Sequence, residues 1–269
     1  MKKVAFIGYG VIGRTIREEL AAHSSEIEIL GAFDPYLSDD AECMRIFESM
    51  DELMDAAPNL VVEAASQSAV SEYVPALLSH GVDVVSLSVG AYLKKELIDQ
   101  IKHICSLPGS GNLHIPSGAL PSLDVVQSAK LRGLKRAELL TTKPPKALLG
   151  APGFAMRSEE IERLQEPVTV FEGSAFDAVL NFPQNINVAA ALNLILSCDG
   201  EQETLLLVKI VADPGVSKNH HRVTIEGDFG RLVSEIECEQ SSNPKTSLIA
   251  PLSASALVLK LARKIKIGT

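Results

Sequence analysis

Six residues near the N-terminus, Gly8-Tyr9-Gly10-Val11-Ile12-Gly13, constrain this chain more than any other stretch, because three glycines at that spacing directly follow the apolar run Val4-Ala5-Phe6-Ile7. A strand that turns at once into a helix needs a residue without Cβ at the turn. It needs another where a ligand comes closest to the main chain, and a third where the helix lies against the strand. Gly8, Gly10 and Gly13 fall at those three places, and Ile12, Ile16 and Leu20 at spacing four give the following helix an apolar stripe. Its free N–H groups and positive dipole end then aim at an anion. The segment predicts a dinucleotide cradle contacted by Gly8, Gly10, Val11, Ile12 and Gly13.

A second acidic signal supports this. Asp34 closes the run Ile27 to Phe33 and lies 21 residues after Gly13 (34 minus 13), close to the ~20 expected for a carboxylate that accepts hydrogen bonds from the adenosine ribose. A carboxylate there favours NAD, since it repels a 2′-phosphate. Arg14 beside the loop offers that phosphate a cation, which keeps NADP as the alternative, and a plain turn role before Pro35 is the lesser alternative for Asp34.

With 269 residues and 46% hydrophobic content the chain can bury one large core or two smaller ones. A net charge of −9 argues against a nucleic-acid or anionic-membrane surface, which calls for clustered Lys and Arg. With no Trp and only 4% aromatic residues, stacking platforms for single strands are lacking too. Small-molecule partners are expected. No run approaches ~18 apolar residues and the N-terminus enters a strand without a signal-peptide pattern, so a cytoplasmic protein is expected. Cys43, Cys105, Cys198 and Cys238 are too scattered for a zinc site and read as reduced and mostly buried, with no metal site.

Apolar runs at Val4–Ile7, Ile27–Phe33, Leu60–Glu63, Val82–Leu87 and Leu113–Ile115 alternate with helical patterns such as Ala69–Leu78 and Leu93–Ile104. That rhythm predicts an α/β fold with a doubly wound parallel sheet, whose ligands sit at the strands' C-terminal ends. Those ends supply the glycine loop, Asp34, Ala64 in Glu63-Ala64-Ala65-Ser66, and Ala119 in Pro116-Ser117-Gly118-Ala119. After Leu120 the rhythm changes, and Ala137–Thr142, Thr169–Glu172, Thr204–Val211 and Arg222–Glu226 read as a second sheet. Asn187–Leu196 reads as a helix, as does Ser253–Ile267, begun as early as Thr246 with a kink at Pro251 and ending in Lys260, Arg263, Lys264 and Lys266. This last helix has no following strand, so it is expected to return to the first domain. Residues 1–120 plus 246–269 are assigned to dinucleotide binding and 121–245 to a second α/β domain for substrate.

Chemistry-bearing residues concentrate in that second domain. In Asn219-His220-His221-Arg222, strand alternation puts His221 with Val223 and Ile225 on an apolar face and His220 on the polar one. His221 is therefore the candidate acid/base, set against a purely structural role for both histidines. In Asn243-Pro244-Lys245-Thr246-Ser247, a helix start with Lys245 and Thr246 offers a carboxylate site, although simple capping accounts for the same residues. Thr141-Thr142-Lys143-Pro144-Pro145-Lys146 is a second cationic candidate.

Taken in order, the glycine loop, Ser88-Val89-Gly90-Ala91, Pro116 to Ala119, Thr141 to Pro145, Phe171 to Ala175, Asn185 to Ala190, Asp213-Pro214 with Asn219 and His221, and Asn243 to Ser247 resemble the L-aspartate dehydrogenase family over nearly the whole length. The resemblance implies a Rossmann domain joined to an α/β substrate domain. It also implies NAD(P)-dependent oxidation of L-aspartate to iminosuccinate, then oxaloacetate and ammonia, with the imine available to pyridine nucleotide synthesis, in a homodimer built through the second sheet. By the same resemblance Ala119 and Asn187 contact the cofactor, and the active-site histidine falls on His221. Gln184 departs from the family pattern, which has Lys there. Two alternatives stay open at this point: a related two-domain enzyme of the homoserine dehydrogenase or dihydrodipicolinate reductase type, and a non-catalytic NAD-binding sensor.

Overall fold

A computed structural model describes residues 1–37, 44–183, 187–197, 206–239 and 247–268. The chain divides into two compact units, residues 1–118 with 251–268 and residues 119–250. Among the described residues, the first unit holds strands β1 (Lys2–Ile7), β2 (Ile27–Phe33), β3 (Ile46–Phe47), β4 (Leu60–Glu63), β5 (Asp83–Ser86) and β6 (Leu113–His114). Helices α1 (Val11–Ala21), α2 (Met50–Asp55), α3 (Gln67–Ser79) and α4 (Lys95–Cys105) connect them. All pairings are parallel, in the order β3-β2-β1-β4-β5-β6. That is a doubly wound Rossmann sheet, whose strand order reverses between β1 and β4 and opens a crevice at their C-terminal ends.

The second unit contains α5 (Leu123–Lys130), β7 (Leu134–Lys143), α6 (Ser158–Glu162), β8 (Val168–Gly173), α7 (Ala175–Asn181), α8 (Asn187–Ser197), β9 (Leu206–Ala212), β10 (Asn219–Gly227) and β11 (Gly230–Cys238). Its sheet runs β11-β10-β7-β9-β8, with β7 and β9 parallel and the other pairs antiparallel. The final helix, α9 (Ile249–Ala262), places Ala254 and Val258 in one buried cluster with Val4 and Phe6 of β1, Leu60 and Val62 of β4, and Ile16 and Leu20 of α1. The C-terminal helix thus completes the first unit's core.

The structure alters several boundaries. α9 ends at Ala262 rather than Ile267, because Lys264-Ile265-Lys266-Ile267 alternates with period two and offers no helical stripe to bury. Ile265 and Ile267 are accordingly exposed, and only Lys260 lies in the helix's last turn. Pro251 falls in the first turn of α9, where a missing N–H breaks no helical hydrogen bond, so no kink is required there. β3 and β11 carry little sequence signal, one being two residues long and the other exposed along most of its length. Cys238 is buried and Cys105 is exposed at the end of α4; Cys43 and Cys198 lie outside the described residues. No helix among the described residues is long and apolar enough to cross a membrane.

Because Val258 is fully buried against the Rossmann strands, Val258→Ala should lower the unfolding free energy by about 2 kcal/mol, as cavity-forming core substitutions do. Urea unfolding followed by circular dichroism measures this. An unchanged midpoint would mean that α9 does not pack on this sheet.

Candidate active site

In the first unit the glycine loop is locked from both sides. Gly8 N–H donates to Phe33 O at 2.9 Å and Ala64 N–H donates to Ile7 O at 2.8 Å, fixing the ends of β1, β2 and β4 around one cleft. Gly8 has φ +82°, and a Cβ there would lie 2.7 Å from Ala65; a Cβ on Gly13 would lie 2.6 Å from Gly8 O. Gly10 is different, since a Cβ on it meets nothing within 4 Å. Only Gly10 therefore opens onto space, at the N-terminus of α1, whose first turn carries no acidic residue and no capping side chain. This arrangement fits a pyrophosphate, for which the amides of α1's first turn are the donors.

The cleft, of about 300 Å³, is lined by Gly8, Gly10, Asp34, Ala64, Ser66 and Glu72 among others. Asp34 is fixed by two backbone donors, Tyr9 N–H to Oδ2 at 2.8 Å and Tyr36 N–H to Oδ1 at 3.0 Å. Each oxygen retains acceptor capacity, as a ribose ligand requires. Arg14 is drawn back along the loop, with Nε 3.3 Å from Tyr9 O and its guanidinium 5.8 Å above the Tyr9 ring.

Sequence reasoning passed over Glu63, which closes β4 and is fully buried. Its carboxylate accepts from Ala65 N–H (2.9 Å), Ser86 Oγ (2.7 Å), Ser88 N–H (3.1 Å) and Ser88 Oγ (2.8 Å). One buried charge thereby fastens the Ala64–Ser66 wall of the cleft to the end of β5. The available signal was an acid ending an apolar strand, with two serines at the next strand's end.

In the second unit the inner sheet face changes character along its length. The register aligns Ala137, Leu139 and Thr141 of β7 with Ile225, Val223 and His221 of β10, and with Leu206, Val208 and Ile210 of β9. All of these are buried, apolar at one end and polar at the other. The polar end carries Thr141, Lys143, Asn219 and His221, with Cys238 paired to Asn219 from β11. His221 Nδ1 lies 3.0 Å from Thr141 Oγ1, and Asn219 Nδ2–H donates to Ser247 Oγ at 3.0 Å. Asn219 Oδ1 is buried and accepts no hydrogen bond among the described residues.

Burial pushes His221 down to about 3, helped by the positive charge of Lys143 and the neighbouring His220. Burial likewise lowers Lys143 to about 8, against a smaller upward pull from Cys238. The imidazole is therefore neutral throughout the physiological range. In the tautomer whose Nδ1–H donates to Thr141 Oγ1, Nε2 is unprotonated and able to accept a proton. His220 is half-exposed on the opposite face, 3.9 Å from Glu235.

Of the residues singled out from sequence, Gly8, Gly10, Asp34 and Ala64 line one cleft, and Val11, Ile12 and Gly13 form the adjoining first turn of α1. Ala119 opens the second unit and is buried; Asn187 is the exposed first residue of α8. His221 is buried in the polar cluster with Lys143, part of the second cationic candidate of the sequence. Lys245 and Thr246 lie outside the described residues, as does Gln184.

An unfolded chain's imidazole takes up a proton near 6.5, which folded His221 refuses until about 3. The native state binds fewer protons between those values, so its stability is full above the upper one and is lost as pH falls through the window. His221→Gln should therefore flatten the decline in urea midpoint between about pH 6.5 and pH 4. An acid limb as steep as that of the wild type would show that His221 is not held neutral.

Residues 124–261 match the family model described as "Aspartate dehydrogenase, C-terminal", and residues 8–105 match "Homoserine dehydrogenase, NAD binding domain". The chain is 36% identical to an L-aspartate dehydrogenase of Methanosarcina mazei, with 100% of both chains covered. It is 41% identical to that of Methanothermobacter thermautotrophicus over 78% of this chain and 75% of the relative. The crystal structure of aspartate dehydrogenase from Thermotoga maritima covers 100% of both chains, with a TM-score of 0.78 and 28% identity. A cofactor cradle, a neutral buried imidazole and these full-length likenesses agree: the chain belongs to the L-aspartate dehydrogenase family.

Proposed function

We propose that this chain is an NAD(P)-dependent L-aspartate dehydrogenase. The observation that carries the reading is a buried histidine at hydrogen-bond distance from Thr141, within a polar cluster that also contains a buried lysine. In this reading residues 1–120 with 246–269 hold the dinucleotide and 121–245 the amino acid. Gly8 to Gly13, Asp34, Ala64, Ala119 and Asn187 contact the cofactor, and Lys245 with Thr246 contributes to substrate binding. NAD+, when bound, supplies the hydride acceptor.

The protein's own part is proton handling and the exclusion of water. His221 Nε2 takes a proton from the substrate's α-ammonium. Loss of the α-hydrogen as hydride would let the nitrogen lone pair close the C=N bond, leaving protonated iminosuccinate with the ammonium's proton held on His221. Water then adds to the imine carbon, His221 gives its held proton to the nitrogen and takes one from the added oxygen, and ammonia leaves as the remaining hydroxyl proton is released, giving oxaloacetate and, in sum, ammonium. Thr141 orients the ring for both proton transfers. Because His221 and Lys143 lie below the surface, entry of substrate requires that end of the sheet face to open.

The reading extends to a homodimer through the second sheet, on whose outer face Leu207 and Val233 are each 38% exposed. It extends also to a cytoplasmic setting and to supply of the imine for pyridine nucleotide synthesis.

Purified protein given NAD+ and L-aspartate should generate reduced-cofactor absorbance, and should consume NADH when given oxaloacetate with ammonia. His221→Ala should lower kcat by about 100-fold or more, the usual worth of a general acid/base. Retention of kcat within a few-fold would remove His221 from the chemistry. Asp34→Ser removes the carboxylate facing the ribose and should narrow the ratio of kcat/KM for NAD over NADP by about tenfold. An unchanged ratio would assign cofactor choice elsewhere.

A further inference from the structure

Glu63 is a fully buried acid that the proposed proton chemistry does not use. Its carboxylate is held by two hydroxyls and two main-chain amides, and these divide evenly between its oxygens. Oε1 accepts from Ala65 N–H at 2.9 Å and Ser88 Oγ at 2.8 Å, while Oε2 accepts from Ser88 N–H at 3.1 Å and Ser86 Oγ at 2.7 Å. Each oxygen thus has one partner that can reverse its role and one that cannot, because a hydroxyl can rotate to accept whereas a main-chain N–H only donates. A glutamine of the same shape would set its NH2 against one of those two N–H groups in either orientation. A carboxylate satisfies both amides at once, and an amide side chain cannot.

The two amides belong to different segments. Ala65 follows the end of β4 and covers the glycine loop: a Cβ on Gly8 would come within 2.7 Å of its N, Cα and Cβ atoms. The residues beside it are tied in the same place, Ala64 N–H to Ile7 O at 2.8 Å, and Ser66 as the N-cap of α3, its Oγ accepting from Ala69 N–H at 3.2 Å. Gly8, Ala64, Ala65 and Ser66 all line the cleft. Ser88, by contrast, leads out of β5 into a short turn, Val89–Leu93, in which Val89, Gly90, Ala91 and Tyr92 are buried. Glu63 therefore ties the wall of the cleft to a turn anchored in the core of the first unit.

We propose that Glu63 is a positioning residue for the dinucleotide: without touching the cofactor, it sets the spacing between Ala65 and the glycine loop and thereby the affinity of the cleft. The proposal rests on the reading of this cleft as the dinucleotide site. Two effects of the carboxylate oppose one another. A negative group behind the cleft wall repels a pyrophosphate, and by that effect alone an uncharged side chain would bind the cofactor more tightly. Against it stands the clash of an NH2 with a main-chain N–H, which is relieved only when Ala65 or Ser88 shifts. In a cleft that meets its ligand with main chain, a displaced wall loses the preorganised fit. Four donors directed at the carboxylate already offset much of its charge, so the geometric effect outweighs the repulsion.

The test is calorimetric titration of NADH into the full-length protein and three variants, each first shown by urea unfolding to be folded under the conditions of the titration. Glu63→Gln should weaken NADH binding about tenfold or more, and Ser88→Ala, which removes a hydroxyl but leaves the amide, about threefold. Val258→Ala loosens the core of the same unit without altering this network and should leave NADH affinity within about twofold, which separates positioning from mere loss of stability. In turnover, the loss in Glu63→Gln should fall on KM for NAD+ rather than on kcat at saturating cofactor. A folded Glu63→Gln protein that binds NADH as tightly as wild type, or more tightly, would overturn the assignment. Should that variant fail to fold, an unchanged affinity in Ser88→Ala would overturn it instead. Equal weakening by Val258→Ala and Glu63→Gln would do the same. A wild type that binds no NADH would remove the reading of the cleft itself, and this role of Glu63 with it.

Discussion

Removal of water from one end of a sheet face sets the chemistry of this protein. Three adjacent strands of the second unit, β9, β7 and β10, present a single buried surface that is hydrocarbon at Ala137, Leu206 and Ile225 and polar at Thr141, Lys143, Asn219 and His221. In water His221 and Lys143 would carry ordinary proton affinities. Against the apolar remainder of the face, charge is disfavoured on both, and the imidazole stays neutral with its orientation fixed by a 3.0 Å contact to Thr141. A base that is unprotonated, aimed and dry meets the demands of amine oxidation. The hydrocarbon half of the face is as much a part of that base as the ring itself.

The first unit solves a different problem with backbone. Its cleft needs a main chain that approaches an anion closely, which glycine permits and side chains forbid. Gly8 and Gly13 have their Cβ positions filled by neighbouring atoms, whereas Gly10 faces open space, so the three glycines serve packing and access separately. The surrounding loops are held by a buried carboxylate, Glu63, with four short donors, and the core beneath is closed by α9 from the far end of the sequence.

Much of this was legible in the sequence because the relevant forces are local. The parallel sheet followed from apolar runs spaced by helical stripes, and the inward direction of His221 followed from period-two alternation with Val223 and Ile225. What escaped notice depends on neighbours distant in sequence. Lys143 was one of several cations at strand ends, and only the register of β7 against β10 brings it beside Asn219 and His221. Glu63 looked like an ordinary strand terminus, since its donors come from residues 23 and 25 positions away as well as from the adjoining turn. The two faces of β11 differ only between exposed and half-exposed, so the strand has little contrast to show, and beyond Ala262 the basic residues continue while period-two alternation replaces the helical stripe.

The central claim is that the polar end of the second sheet's inner face is where the substrate reacts. A crystal structure of the full chain with NADH and a non-oxidisable dicarboxylate tests it most directly. The account predicts ligand density within hydrogen-bond distance of His221 Nε2. Density for the ligand at another surface, with His221 and Lys143 still covered as they are in the free protein, would contradict it.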